Sequence, residues 1–387
     1  MPLANSYLKF RELDEDEPRY PLHALVCDRC LLVQLDVVVA PEEIFNHYAY
    51  FSSYSTTWVE HARRFAEEAC RTLGLTERSL VVEVASNDGY LLRHFLARGT
   101  SVLGVEPAWN VAKVAIEAGI PTEMAFFGTG KARELSGRGL KADLVVANNV
   151  LAHVPDLDDF VAGISQILHP DGVVTIEVPS LLQLITNVQF DTIYHEHLSY
   201  FSLFTAEQVL VRHGLNVFDV EELSTHGGSL RIWADPGGRR GASVRLLAAR
   251  KAEQEVGISR AETYSGFQRR ADACRRSLLE LISSAKAQGE TIVAYGAAAK
   301  GNTLLNYCQL SPDDIAYVVD RSPHKQGKFL PGTHIPIYSP ERVFETRPHY
   351  LLILPWNLRG EIMDQMSGIR EWGGRFVTPI PAVQVHP

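Results

Sequence analysis

One stretch, residues 80–92, constrains the fold more than any other part of the chain. Its sequence, LVVEVASNDGYLL, predicts a buried strand, a tight turn of small residues and the first turn of a helix. A second predicted strand, SVLGVEP, ends in Glu106, roughly 20 residues after the turn, where a carboxylate can accept both hydroxyls of a ribose. The stretch therefore predicts a nucleotide-binding unit.

The turn lacks the signs of a phosphate-binding loop. It contains neither G-x-G-x-x-G nor G-K-[ST], and Glu83 and Asp88 place negative charge where a pyrophosphate needs backbone amides. S-adenosylmethionine tolerates these carboxylates because its sulfonium and ammonium groups are cationic. Together with ADLVVANNVLAHVPD, the pattern resembles the Rossmann-like methyltransferases. The alternative is an ordinary acidic residue after a strand of an unrelated α/β protein.

Composition narrows the classes of partner. A chain of 387 residues, 46% hydrophobic, predicts two or three domains, and its net charge of −9 argues against binding nucleic acid. No run approaches the ~20 apolar residues of a membrane span, and the charged N-terminus does not resemble a signal peptide. The five mostly isolated cysteines are typical of a reducing compartment. We expect a cytoplasmic monomer.

The predicted elements divide the chain into five segments. Strands alternate with helices over residues 80–235, which predicts a doubly wound α/β sheet with its ligand crevice at the carboxyl ends of the strands. A second strand-loop-helix unit begins at Thr291, with its helix predicted to open at Asn302 and with IAYVVD as the next strand. An amphipathic helix is predicted from about Thr56 to Leu73. We expect a partial zinc-binding-like module (1–40), a helical lid and connector (41–79), a Rossmann-like methyltransferase domain (80–235), connector helices (236–289) and a C-terminal α/β domain that binds a sugar nucleotide (290–387).

The candidate cofactor ligands lie at the turn and at the strand ends. Several of them fall at the carboxyl ends of different strands, which packing alone does not readily produce. The set is Glu83, Ser86, Asn87, Asp88, Gly89, Glu106, Phe126, Asn148 and Asn149.

A dense group of titratable side chains lies in QFDTIYHEHLSYFSL, residues 189–203. Tyr194, His195, Glu196, His197 and Tyr200 fall within seven residues among apolar neighbours, and partial burial shifts such groups toward a pKa useful for proton transfer. Acid-base chemistry is the favoured interpretation. A metal site with His195 and His197 on one face of a strand ranks lower because no third ligand is evident, and a polar surface turn ranks lower still.

Cys27 and Cys30 form a C-x-x-C pair near the N-terminus. A structural zinc site normally uses four ligands, so the pair is half of a site, with His23 as a third candidate. Two unliganded thiols on a turn explain the pair equally well.

The candidate substrate ligands lie mainly in the second half of the chain. His226 precedes two glycines, which is typical either of a close backbone approach to a ligand or of a hairpin bend. Lys300 follows a glycine-rich turn at a predicted helix N-terminus, as in anion sites, whereas a purely structural repeat is the alternative. The set is Tyr200, His226, Lys300, Asn302, Arg321 and Lys325.

Assembled in order, the motifs resemble those of the S-adenosylmethionine-dependent sugar C-methyltransferases of deoxysugar biosynthesis. The resemblance spans nearly the whole chain and rests on PLANSYL, PLHALVCDRCLLVQL, EVASNDGYLL, NNVLAHVPD, FDTIYHEHLSYFS, THGGSLRI, YGAAAKGNTLLN and VDRSPHKQGKFLPGTHIPI. It implies a zinc-binding module, a methyltransferase domain and a C-terminal α/β domain, and a nucleotide-linked 4-keto sugar as substrate, typically linked to dTDP.

The resemblance also implies catalytic roles. His197 would be the general base and Tyr194 its partner near the substrate carbonyl, with Glu196, Tyr48 and His153 completing a polar wall. The cofactor contacts would fall on the SNDG turn and on Glu106.

The sequence departs from the family's pattern in two places. The family's zinc site has a second C-x-x-C ahead of PLAN that this sequence does not contain, so we expect either a truncated start or a lost zinc site. Ala85 stands where a glycine is usual, and its methyl group is expected to leave cofactor binding intact.

Two other classes of function remain as alternatives. An NAD-dependent sugar-nucleotide dehydrogenase or epimerase would share Glu106, but it predicts glycines where Asn87 and Asp88 stand. A non-catalytic sugar-nucleotide-binding protein leaves the YHEH cluster without a purpose.

Overall fold

The fold is taken from a computed structural model that describes residues 1–40, 44 and 51–387. The strands are β1 (Ala24–Val26), β2 (Val33–Leu35), β3 (Leu80–Val84), β4 (Ser101–Val105), β5 (Thr122–Glu123), β6 (Ala142–Asn148), β7 (Leu168–Pro179), β8 (Ser199–Tyr200), β9 (Leu215–Leu223), β10 (Ser229–Pro236), β11 (Ile292–Tyr295), β12 (Val318–Val319), β13 (Ile337–Tyr338), β14 (Tyr350–Ile353), β15 (Arg375–Thr378) and β16 (Gln384–His386). The α-helices are α1 (Thr56–Leu73), α2 (Leu92–Leu96), α3 (Trp109–Glu117), α4 (Thr129–Gly137), α5 (Leu157–Ile167), α6 (Leu181–Thr186), α7 (Leu203–Arg212), α8 (Val244–Val256), α9 (Phe267–Ala287), α10 (Ala299–Cys308), α11 (Arg342–Thr346) and α12 (Arg359–Gln365).

The central sheet has seven strands in the order β5-β4-β3-β6-β7-β10-β9. Strands β3 to β7 are parallel, and β10 is antiparallel to both β7 and β9. This is the Rossmann-like methyltransferase fold that the sequence predicts, although the alternation of helices and strands did not reveal the antiparallel edge. The carboxyl ends of β4, β3, β6 and β7 meet along one edge, where a ligand crevice is expected.

Both faces of the central sheet are covered by apolar side chains. Along β3, Val82 and Val84 pack into one layer with Phe160, whereas Val81 packs on the opposite face with Phe65. Because both faces are buried, the strands consist of nearly continuous apolar residues, which is why the sequence located them well.

A second sheet of six strands forms a C-terminal unit. Its order is β13-β12-β11-β14-β15-β16, and only β16 is antiparallel to its neighbour. The predicted connector consists of two helices that pack separately: α8 joins the core of the central sheet, and α9 joins the core of the C-terminal sheet.

The N-terminal segment pairs with the strand that follows the YHEH motif. Strands β1, β2 and β8 form a small antiparallel sheet in which Val33 pairs with Tyr200. The sequence did not predict that these distant segments pair.

Helix α1 spans the residues predicted for it because its signals are local. The Ser55 side chain accepts a hydrogen bond from the Trp58 amide at 3.2 Å, and Gly74 ends the helix in a left-handed conformation with a φ of 64°. Other boundaries differ from the prediction: helix α10 begins at Ala299 rather than at Asn302, and the predicted strand IAYVVD shrinks to Val318–Val319. Across the described ranges, no helix combines the length and apolar character needed to cross a lipid bilayer.

Two helical glycines allow a matched test of the packing between α10 and β14. A Cβ at Gly301 would lie 2.7 Å from the Leu354 Cβ, whereas a Cβ at Gly360 in α12 would meet nothing within 4 Å. We expect Gly301→Ala to lower the free energy of unfolding by about 1–3 kcal/mol through overpacking. Gly360→Ala should raise it by up to about 1 kcal/mol through helix propensity. Urea denaturation measures both, and equal effects of the two substitutions would contradict this packing.

Candidate active site

The turn after β3 has an unusual backbone. Ala85, Asn87 and Gly89 all have positive φ angles, of 57°, 51° and 75°. Left-handed backbone at non-glycine residues costs roughly 1–3 kcal/mol each and clusters at functional sites. The turn therefore holds a strained conformation at the edge where the fold predicts a ligand, and Ala85 stands at one of the strained positions.

Three buried carboxylates surround this turn. Glu83, Asp88 and Glu106 are each at most 5% exposed. Burial, and then the nearby charges of Glu106 and Asp88, raise the pKa of Glu83, and burial likewise raises the pKa of Glu106. Such a concentration of buried acceptors favours a ligand that brings cations and hydroxyl groups.

Glu106 lies directly after β4 and is already oriented. Its two oxygens accept hydrogen bonds from the backbone amides of Asn87 and Ala108, each at 2.9 Å. Because each carboxylate oxygen can accept more than one hydrogen bond, both can still accept from ribose hydroxyls.

Further buried oxygens lie around the turn and at the end of β6. Within residues 1–40, 44 and 51–387, these atoms have no hydrogen-bond partner: Glu83 Oε2, Ser86 Oγ, Asp88 Oδ1, Asn148 Oδ1 and Asn149 Oδ1. Buried polar atoms normally find partners, so their concentration here indicates a ligand with several donors. The residues present therefore fit the donors of S-adenosylmethionine, which are its ammonium group, the amino group of its adenine and its ribose hydroxyls.

A segment before α1 covers the turn. The backbone amide of Ser52 donates to Asn87 Oδ1 at 2.9 Å, and that of Ser53 donates to Asp88 Oδ2 at 3.1 Å. Tyr54 stacks on His324 of the C-terminal unit, with ring centroids 5.9 Å apart. The segment thus contacts both the turn and the C-terminal unit, as a lid would. Tyr48, the candidate chosen from this region, lies outside the described residues.

Tyr194 and His197 form a hydrogen-bonded pair. Tyr194 Oη lies 2.9 Å from His197 Nε2, and His197 Nδ1 lies 3.1 Å from the carbonyl oxygen of Thr192. A carbonyl only accepts, so Nδ1 carries the proton and Nε2 presents its lone pair to the tyrosine. Burial, with the charge of His153 next, lowers the pKa of His197 well below its ordinary value. The imidazole is therefore a neutral base at pH 7.

His153 and Tyr200 lie beside this pair. The His153 ring centroid is 4.9 Å from that of His197, and the Tyr200 centroid is 6.1 Å away. Burial lowers the pKa of His153 to about 4 and raises that of Tyr200. Because His153 comes just after Asn149 at the end of β6, the Tyr-His pair lies next to the carboxyl edge of the sheet.

Glu196 contacts the N-terminal segment. Asn5 Nδ2 donates to Glu196 Oε1 at 2.5 Å, and burial raises the pKa of Glu196 to about 7. The sequence named Glu196 but gave no indication of Asn5, which lies 191 residues away.

The geometry separates His195 from His197. His195 Nε2 lies 3.0 Å from the carbonyl oxygen of Pro21, and its ring packs against Tyr20. The segment forms a turn rather than a strand at these positions, so the two rings do not share a face. This argues against the alternative of a metal site with both histidines as ligands.

Both candidate lysines donate hydrogen bonds to acceptors within the protein. Lys300 Nζ donates to the carbonyl oxygen of His226 at 3.2 Å and to Asn357 Oδ1 at 2.9 Å. Lys325 Nζ donates to the carbonyl oxygen of Ala297 at 2.7 Å and lies 3.5 Å from Asp320. Both ammonium groups tie loops together in this structure.

The remaining substrate candidates are placed less centrally. Asn302 is buried in α10, where its side chain accepts from Asn306 at 3.2 Å, and Arg321 is largely exposed beside Glu361. His226 lies on a hairpin bend between β9 and β10 with a φ of 56°, as one of the two interpretations predicts, and burial lowers its pKa to about 4. Phe126, a cofactor candidate, is 49% exposed beyond the end of β5.

The cysteine pair does not complete a zinc site. Cys27 and Cys30 are free thiols at the end of a hairpin, and His23 pairs with Asp36 at 3.2 Å. In the described part of the chain, no group of three or more His, Cys, Asp or Glu side chains is placed to hold a metal ion. This donor set does not fit the four ligands of a structural zinc site.

Comparisons with known proteins identify the family to which the chain belongs. Three family models match consecutive parts of the chain: a "Putative zinc binding domain" (residues 1–45), a "Methyltransferase domain" (58–220) and a "C-methyltransferase C-terminal domain" (224–381). The C-methyltransferase NovU of Streptomyces niveus is 39% identical over 99% of this chain and 92% of its own length. The chain belongs to the sugar C-methyltransferase family.

Two further similarities are more remote. The ubiquinone biosynthesis O-methyltransferase of Bartonella bacilliformis is 26% identical over 25% of this C-methyltransferase and 39% of its own length. The magnesium protoporphyrin IX methyltransferase of Synechocystis, solved with S-adenosylmethionine bound, is 14% identical over 46% of this chain and 81% of its own, with a TM-score of 0.35.

Family membership decides the class of enzyme. The C-methyltransferase depends on S-adenosylmethionine, as the acidic turn and Glu106 predict, and the NAD-dependent and non-catalytic alternatives are set aside. The zinc-binding family model covers Cys27 and Cys30, but the ligand set of the described residues remains that of a half-site.

Sequence reasoning missed a buried ionic network next to the cofactor edge of the C-methyltransferase. Glu177 on β7 accepts hydrogen bonds from Arg231 and Thr225, each at 3.1 Å, and lies 3.1 Å from His61 Nε2, which is also 2.9 Å from an Arg231 nitrogen. Burial raises the pKa of Glu177, but the contact with His61 and the charge of Arg231 outweigh it, so the pKa is lowered. The sequence did contain one signal of this network, because Glu177 places a charge among the apolar residues of a predicted buried strand.

Glu106 offers a direct test of the cofactor site. In Glu106→Gln, an NH2 group replaces one carboxylate oxygen, and this group cannot accept a hydrogen bond from a backbone amide or a ribose hydroxyl. We expect the affinity for S-adenosylhomocysteine to fall at least about tenfold, the effect of losing roughly one charge-assisted hydrogen bond. Isothermal titration calorimetry measures it. Glu117→Gln, at an exposed position of the same unit, should bind like the wild type, and equal affinities of the two variants would remove Glu106 from the site.

Proposed function

We propose that this C-methyltransferase methylates the carbon next to the ketone of a nucleotide-linked 4-keto deoxysugar, with dTDP as the expected nucleotide. The observation that carries the proposal is the Tyr194-His197 pair beside the cofactor edge of the sheet. A neutral imidazole next to a phenolic hydroxyl suits removal of a proton from carbon. Carbon rather than oxygen or nitrogen as the methyl acceptor follows from the C-methyltransferase family of the chain.

The orientation of His197 suits the role of a base. Its Nδ1–H donates to the Thr192 carbonyl, so the lone pair is on Nε2 and faces the Tyr194 hydroxyl. A general base must have its correct tautomer held in place, and this hydrogen bond does so.

The ketone makes the adjacent C–H acidic, and the base needs help from a donor. As Nε2 of His197 takes the proton, the electron pair of the C–H bond moves into the enolate, whose oxygen gains charge. In the structure the Tyr194 hydroxyl donates to Nε2; in the proposed reaction it turns to donate to the enolate oxygen instead, which leaves the Nε2 lone pair to accept the proton. S-adenosylmethionine, when bound, supplies an electrophilic methyl group to this carbon.

Glu196 and His153 are the proposed remainder of the polar wall. Burial raises the pKa of Glu196 to about 7 and lowers that of His153 to about 4, so neither adds a full charge to the site below pH 7. A neutral wall limits repulsion of the developing enolate.

The C-terminal unit supports a sugar nucleotide as the substrate. It brings Lys300 and Trp356 to the hairpin that carries His226, and the charge of Lys300 contributes to the lowered pKa of His197. A second α/β unit beside a methyltransferase site suits a substrate with two parts, a sugar that reacts and a nucleotide that anchors it. The motifs shared with the sugar C-methyltransferases point to the same substrate.

Replacement of the base tests the reaction. With a panel of dTDP-linked 4-keto sugars in D2O, we expect His197→Asn to slow deuterium uptake next to the ketone and methyl transfer by at least about 100-fold, the usual contribution of a general base. Affinity for S-adenosylhomocysteine should stay at the wild-type value. His169→Asn, at an exposed position, serves as control. Unchanged exchange in His197→Asn, or wild-type enzyme that methylates no sugar of the panel, would overturn the proposal.

The pH dependence of kcat/KM gives an independent check. The pKa of His197 is lowered by burial, so the base stays deprotonated, and active, as the pH falls from 8 to 6.5. Glu196, with a pKa of about 7, titrates in this range, so the profile is measured in Glu196→Gln. We expect a flat profile for that variant from pH 8 to 6.5. A fall of kcat/KM with an apparent pKa above 6.5 would mean that the base is another group.

A further inference from the structure

The turn that precedes the catalytic segment belongs structurally to the C-terminal unit. Phe190 packs in the core of the C-terminal sheet, and its ring lies 5.0 Å from that of Tyr307. Residues 190–192 form a single 3-10 turn. The C-terminal unit therefore holds a piece of chain that comes directly before Tyr194 and His197.

A hydrogen bond joins this turn to Trp356. The indole Nε1 of Trp356 donates to Asp191 Oδ2 at 2.8 Å, across 165 residues of chain. Asp191 is fully buried and Trp356 is half-buried, so the acceptor end of this bond is shielded from water.

Trp356 is half-buried and packs against the hairpin that carries His226. A Cβ at Gly227 would lie 2.5 Å from its ring, and Lys300 Nζ lies 4.9 Å from the ring centroid. The Gly227 carbonyl also accepts a hydrogen bond from Gln189 at 2.8 Å. These contacts orient the indole with its Nε1 toward Asp191.

The next residue after Asp191 sets the tautomer of the base. Thr192 gives its carbonyl to His197 Nδ1, and its hydroxyl donates to the Gln189 carbonyl at 2.7 Å. A shift of Asp191 would be transmitted to the Thr192 carbonyl, since Thr192 follows Asp191 directly in one short 3-10 turn and its own hydroxyl is tied back to Gln189.

We propose that Trp356 is a positioning residue for His197: by holding Asp191, it keeps the Thr192 carbonyl where it fixes the imidazole in the tautomer with Nδ1 protonated and Nε2 unprotonated. The inference rests on the proposed role of His197 as the base. It assigns to the C-terminal unit a part in proton transfer in addition to any contact with the substrate. Trp356 acts through the turn and needs no contact with the reacting atoms.

The test compares two tryptophans of the C-terminal unit, each of which donates one hydrogen bond through its indole. Trp356→Phe removes the donor to Asp191 and keeps an aromatic ring against Gly227. Trp372→Phe removes a donor of the same kind, to the Pro348 carbonyl at 3.0 Å, far along the chain from the catalytic segment. Each variant loses one indole donor, and the state of the His197 ring separates a positioning role of Trp356 from the loss of a contact with the substrate.

We expect Trp356→Phe to lower kcat about tenfold, as for loss of a group that orients a functional imidazole, while KM for S-adenosylmethionine stays within about twofold of the wild-type value because the cofactor edge is untouched. Trp372→Phe should retain wild-type kcat. The substrate is the dTDP-linked 4-keto sugar of the panel that wild-type enzyme methylates. Binding of S-adenosylhomocysteine confirms that each variant is folded.

A second readout needs no turnover. In protein labelled with 15N-histidine, His197, assigned by its loss in His197→Asn, should show a protonated Nδ1 and an unprotonated Nε2 in the wild type and in Trp372→Phe. In Trp356→Phe, we expect averaged shifts that report a mixture of tautomers. If kcat and the His197 shifts of Trp356→Phe match those of Trp372→Phe, the positioning role is wrong. If His197→Asn retains exchange and turnover, the base assignment fails, and the shifts still decide whether Trp356 holds the ring.

Discussion

The hydrogen bond from His197 Nδ1 to the Thr192 carbonyl is the constraint on which the proposed chemistry depends. An imidazole whose proton sits on the other nitrogen cannot accept one from carbon at Nε2. A backbone carbonyl fixes the tautomer more strictly than a hydroxyl side chain would, because it cannot act as a donor and so allows one tautomer only. In the proposed reaction the YHEH segment supplies the base, whereas the turn before it decides which nitrogen of the imidazole is basic.

Three distant parts of the chain converge on that segment. The N-terminus contributes Asn5, which donates to Glu196, and strand β2, which pairs with β8. The C-terminal unit contributes Trp356 through Asp191. The central sheet contributes the end of β6. The catalytic segment is therefore a junction of all three units, which explains why polar residues so far apart in sequence become buried partners.

The sequence predicted whatever depends on local pattern. Buried parallel strands are continuous apolar runs, and α1 carries its own caps, so these elements and the strand-end position of Glu106 were found correctly. Partnerships across the fold carry no local signal. Asn5, Trp356 and the Glu177-Arg231 pair were therefore missed, and Lys300 was read as an anion ligand although its ammonium is shared between a carbonyl and an amide oxygen.

The most direct measurement is a crystal structure with S-adenosylhomocysteine and a dTDP-linked 4-keto sugar bound together. The account predicts Nε2 of His197 within about 3.5 Å of the carbon next to the ketone, a distance typical of reacting groups, and the Tyr194 hydroxyl on the keto oxygen. The thioether sulfur should lie on the other face of that carbon. A sugar bound with its ketone against another side chain, and His197 turned away from it, would contradict the account.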